Sequence, residues 1–136
     1  MSQHNKDLVR RLIKEVEKGN LGVIDELLAP DFVDHDLLPD QEPDRESYKR
    51  GLSEDHDAFS NLNITIEDQI AEGDKVVTRL TWRGTHDREK FMDVPPKGKK
   101  VEARAIFIHR ISEGKIKEEW SASDMLQTRR QLDDAS

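Results

Sequence analysis

This 136-residue sequence predicts an α+β fold, with helices first and an antiparallel meander after them. Three observations carry that expectation. Apolar residues in the first half recur at helical spacing. Those in the second half alternate with polar ones. The turn sequences Glu72-Gly73-Asp74 and Ser112-Glu113-Gly114 then cut the alternating half into hairpin-length pieces.

The elements follow in order. Leu8, Leu12 and Val16, with Val9 and Ile13 beside them, form one apolar stripe on an otherwise charged helix. Gly19-Asn20 ends it, and Leu21, Ile24, Leu27 and Leu28 predict a short second helix that Pro30 stops. Phe32-Val33-Asp34-His35-Asp36 is expected to lead into a loop holding Pro39 and Pro43. A third helix is expected over 44–59, with Asp44 placed to cap and Tyr48, Leu52 and Phe59 roughly on one side. Strands are expected over 62–67, 75–86, 101–111 and 115–124, and a terminal helix over 125–132. One domain spanning 1–136 is the expectation from length. A bent sheet wrapped around the long helix would enclose a cone-shaped hollow.

Composition narrows the function classes. The net charge is −7, and Lys and Arg are interleaved with Asp and Glu, so no basic patch invites nucleic acid. There is no cysteine for a disulfide or a thiol nucleophile, which fits a cytoplasmic protein. No apolar run approaches the ~18 residues of a membrane span. Apolar residues make up only 34% of the chain. A core and a pocket would compete for them, which favours sharing apolar surface in a homodimer. Phosphate-binding loops and a serine nucleophile elbow are absent from the sequence, and no metal site is expected.

Candidate chemistry rests on a few side chains. Asp124 is in phase with Trp120 and Ala122 on the last strand, so all three share a face. In an apolar hollow its carboxyl would suit general acid/base work; as a strand-end residue it would cap the next helix. His35, flanked by Asp34 and Asp36, is a candidate donor to a developing enolate oxygen or a solvated loop histidine. His109 shares a face with Ala103, Ala105 and Phe107, whose small residues leave room. The other face of 101–111 carries Ile106 and Ile108, and either face can be the inner one. Tyr48, Phe59, Trp82, Phe107 and Trp120 are candidate substrate-binding walls or simple core.

Phe32-Val33-Asp34-His35, Glu72-Gly73-Asp74-Lys75-Val76-Val77, Gly84-Thr85-His86, Pro95-Pro96-Lys97-Gly98-Lys99 and Gly114-Lys115-Ile116 with Trp120 and Asp124 together resemble the SnoaL-like polyketide cyclase family of the NTF2-like superfamily. The resemblance spans about residues 6 to 127. It implies an α+β cone with a cofactor-free cavity, often in a homodimer, in which an aspartate near the end of the last strand drives an intramolecular aldol closure. That role falls on Asp124, and the family's pocket histidines fall on His35 and His109. The segment after His86 departs from the family pattern, with Asp87-Arg88-Glu89-Lys90 where glycines are usual. The expected function is a cofactor-independent cyclase or isomerase acting on a small carbonyl-bearing, polyketide-like substrate. A non-catalytic ligand-binding dimer, a hydrolase of the same fold and a protein-interaction dimer stay open beside it.

Overall fold

The computed structural model describes residues 2–36 and 41–133. Helix α1 (Ser2–Lys18) buries Val9, Leu12 and Ile13, the stripe expected from the sequence. Gly19, with φ +79°, ends it in the left-handed region that glycine tolerates best. A 3-10 turn (Leu21–Val23) and a one-turn helix α2 (Ile24–Leu27) follow.

The chain then departs from expectation. Residues Leu28–Asp34 form a strand, β1, that pairs in parallel with the last strand, β5 (Lys115–Ser123). Sequence reading placed a second helix and a loop there, for two reasons. The partner lies some ninety residues away, and Pro30 argues against an interior strand. As an edge strand with an irregular register between Leu28 and Val33, β1 accommodates the missing N–H.

Helix α3 (Arg45–Ala58) begins where expected: the Asp44 carboxylate accepts from Ser47 N at 2.8 Å. Three long strands complete the sheet, β2 (Phe59–Glu72), β3 (Lys75–His86) and β4 (Lys99–Ser112), in the order β1-β5-β4-β3-β2. Only the β1–β5 pair is parallel. Helix α4 (Met125–Asp133) closes the described chain. Its Gln131 side chain donates to Glu102 O and accepts from Glu102 N, both at 2.8 Å, so it satisfies β4 where β5 has ended.

Helices α1, α2 and α3 pack against one face of this curved sheet and make that face the inner one. The main core joins Val9, Leu12, Ile24, Leu28 and Phe32 to Val76, Leu80 and Ile116. A second cluster at the other end holds Phe59, Val94, Val101 and Leu132. Gly84 packs closely there: a Cβ would stand 3.1 to 3.3 Å from the Phe59 side chain, which would have to shift. No described helix is long and apolar enough to cross a membrane. The loop expected to hold Pro39 and Pro43 includes residues 37–40, which lie outside the described residues.

Candidate functional site

A bulge decides which side chains meet inside. Ile111 of β4 pairs with Ile116 of β5, but Arg110 pairs with Glu118, so Lys117 is the extra residue. Beyond it the phase of β5 is inverted. Strict alternation from the buried Ile116 would have carried Glu118 and Trp120 inward; the bulge sends Glu119 inward instead. Glu119 is 3% exposed and pairs with His109 of β4 on one side and Asp34 of β1 on the other. Three polar groups on adjacent strands therefore form one inner row.

The row is hydrogen-bonded to the helix above it. The Tyr48 hydroxyl, from α3, donates to Glu119 Oε1 at 2.8 Å. His109 Nε2 lies 2.8 Å from the same oxygen, which assigns its proton to Nε2 as the donor. No described residue donates to Oε2. Tyr48 packs edge-to-face on Phe32 with ring centroids 5.0 Å apart, so the hydroxyl is aimed by packing. Burial, reinforced by the Glu119 carboxylate, holds the Tyr48 phenol well above its usual pKa and keeps it a donor. His109 is 2% exposed, stacks at 5.9 Å on Phe107, and leaves Nδ1 unpartnered.

Two further carboxyls belong to this neighbourhood. Asp34 has its pKa raised to about 6, chiefly by burial and next by the Glu119 charge. Asp55 lies two helical turns after Tyr48 on α3, and its charge is felt at the phenol. Its own carboxyl is raised to about 7 by the surrounding protein, then by Glu54, although its side chain remains open to solvent. Trp82, Phe107, Tyr48 and Leu52 point inward too and are only partly buried.

The residues singled out in the sequence divide into separate groups. His109, Phe107 and Tyr48 come together at Glu119. Phe59 and Trp82 pack on each other at 5.3 Å farther along the inner face, beside Phe91 and the buried His86. His35 and Trp120 lie on the outer face, stacked with centroids 4.7 Å apart and ring planes within 6° of parallel. His35 Nε2 reaches Glu118 Oε1 at 2.9 Å, and Glu118 also pairs with Arg110. Asp124 shares the face of Trp120, as its phase requires, and that face is the outer one. Its carboxylate sits 3.7 Å from Arg104 at the start of α4. The pleat and the bulge place Asp124 and His35 away from the inner row. Glu119 and Asp34 carry the inward carboxyls, and the sequence signal for Glu119, hidden by the bulge, was only its place opposite His109.

Two open grooves lie elsewhere. One, of about 340 Å³, runs between α1 and β2 and is lined by Lys14, Ile64 and Ile66 among others. The other, of about 410 Å³, lies beside α4 against Arg83, Lys100 and Gln131. Neither touches Glu119.

The SnoaL-like polyketide cyclase family matches residues 6–132. The chain belongs to that family. Among solved structures similar to this SnoaL-like chain, TsrD from Streptomyces laurentii superposes with a TM-score of 0.88 at 23% identity, over 98% of this chain and 97% of that one. IdmH of Streptomyces antibioticus, described as a candidate polyketide cyclase, is 31% identical with a TM-score of 0.78, over 94% of this chain and 97% of its own. AclR of Streptomyces galilaeus, described as a candidate hydroxylase, is 25% identical with a TM-score of 0.85, over 97% of each. No curated protein matches. The fold of this SnoaL-like chain is the α+β, NTF2-like arrangement expected from its sequence, and the family supports a cyclase- or isomerase-type function.

Proposed function

We propose that this SnoaL-like protein is a cofactor-independent acid–base enzyme that removes a proton next to a carbonyl of a small, polyketide-like substrate. Ring closure or isomerisation follows from the resulting enolate. The supporting observation is Glu119: a buried carboxylate with Tyr48 and His109 on one oxygen and no described donor on the other. Two donors on Oε1 fix the carboxylate plane and leave Oε2 as the base. The partly buried faces of Trp82 and Phe107, on the inner sheet face below α3, would orient the carbon chain. The carbon acid is activated by the substrate's own carbonyls, so this chemistry needs no cofactor. Asp124 and His35, expected as acid/base groups, are not assigned that role because both face outward.

The outer face supports a homodimer. Ile70, Val77, Ile108 and Trp120 are register partners in turn across β2, β3, β4 and β5, and form an apolar row with Ile70 66% exposed. A second copy laid on this row would cover it.

Deuterium uptake from heavy water into acetonylacetone, a small diketone, tests the base. Catalysed uptake is expected, and Glu119→Gln should slow it by about 100-fold or more with the fold intact. Unchanged uptake in the variant would remove Glu119 from the role.

A further inference from the structure

Proton removal from carbon accounts for half of an aldol closure. The carbonyl that accepts the new bond must also gain a proton on oxygen, and neither Tyr48 nor His109 is free to supply one while both are bound to Glu119. The remaining inward group is Asp34. It is the register partner of Glu119 across the parallel β1–β5 pair, where strands lie about 4.8 Å apart. It is 9% exposed, and its Oδ1 accepts from Asp36 N at 3.1 Å. No described lysine or arginine pairs with it. The charged or titratable groups around it are Glu119 on β5, with His109 of β4 on the far side of Glu119, Tyr48 on α3, and its own neighbours His35 and Asp36.

We propose that Asp34 and Glu119 form a working carboxyl pair, with Asp34 in its acid form delivering a proton to the substrate's carbonyl oxygen. This rests on the assignment of Glu119 as base. The step balances within the pair. Glu119 Oε2 takes the α proton, and the C–H electrons become the enolate. The enolate carbon bonds to the second carbonyl carbon, whose π electrons move to oxygen. That oxygen takes the proton of Asp34, leaving an alcohol, a protonated Glu119 and an ionised Asp34. Transfer of one proton from Glu119 to its strand neighbour Asp34 restores the starting state, with none drawn from solvent. Two carboxyls, Asp34 and Glu119, stand side by side here with no described lysine or arginine paired to either. The substrate class is therefore a neutral dicarbonyl; a ligand bearing a free carboxylate near the reacting carbons would be repelled.

Carbon-13 carboxyl NMR on protein labelled at Asp and Glu tests the pair without substrate. Asp34 should titrate near pH 6 in the wild type. In Glu119→Gln that midpoint should fall by about one unit, because the neighbouring charge is gone. An unmoved midpoint would mean the two carboxyls do not communicate and would overturn the proposal. With acetonylacetone, Asp34→Asn should slow ring closure about 100-fold, and slow it far more than it slows deuterium uptake. Wild-type closure should also fall as pH rises through about 6, as Asp34 loses its proton. Full closure by Asp34→Asn would overturn the proposal while leaving Glu119 as base. Absence of uptake by the wild type would instead overturn the assignment of Glu119, and the pair with it.

Discussion

On the inner face of the sheet, Asp34, Glu119 and His109 lie side by side on three strands, buried under α3. On the outer face, displaced by one residue, His35, Trp120, Ile108, Val77 and Ile70 run across all five strands and remain partly open. The two rows use neighbouring residues and have opposite chemistry. Inside, polar groups that would be costly to bury are hydrogen-bonded to one another, as burial demands. Outside, aromatic and aliphatic side chains occupy places where water would favour charge. The inner row is the one proposed for proton transfer and the outer row the one proposed for association.

The comparison can be broken at four points. The largest effect is expected from Ile108→Asp, at the centre of the outer row. A charge desolvated in an apolar interface should weaken the dimer about 100-fold by sedimentation equilibrium, leaving Glu119-dependent uptake nearly unchanged. A wild type that stays monomeric at high concentration would remove the associative reading of the outer row.

The next is a pH effect on the inner row. The pKa of Asp34 is raised from 3.8 to about 6 in the folded state. The native state therefore holds this proton more tightly than the unfolded chain does. Stability linked to it is fully present below pH 4 and is lost as pH rises through about 6. Asp34→Asn should escape that loss, gaining roughly 2 kcal/mol over the wild type at pH 8 and almost nothing at pH 4, by urea titration. Equal curves at both pH values would show that Asp34 is not held as an acid. A gain in stability alongside lost closure would mark the residue as kept for chemistry.

A smaller change is expected from Tyr48→Phe, which removes one of two donors to Glu119 Oε1. Stability should fall by about 1 kcal/mol, the ordinary net value of one buried hydrogen bond. No change in stability would mean that the Tyr48–Glu119 bond contributes nothing to holding the row. The smallest is expected from Asp124→Asn. Its ion pair with Arg104 is long and solvent-exposed, so stability should move by less than about 0.5 kcal/mol, with uptake within twofold. Collapse of activity in this variant would return the acid/base role to the outer rim and overturn the division drawn between the rows.

The sequence made the helical stripe of α1, the capped start of α3 and the two hairpin turns legible, because each is written in contacts a few residues apart. It also grouped side chains correctly by face: Trp120 with Asp124, and His109 with Phe107, Ala103 and Ala105. A period of two looks the same whichever side is buried, so it left the inner face unnamed. Packing of α1 and α3 on one side of the sheet made that choice. Strand β1 was missed because its pairing energy comes from a partner about ninety residues away, and Asp34 was missed with it. Glu119 was hidden by the bulge at Lys117, which alternation alone cannot register. The sequence by itself determined the fold class, the elements and which residues travel together. Only the tertiary structure decided which of two adjacent residues, Glu119 or Trp120, faces inward, because one unpaired residue inverts a strand and long-range packing selects the face.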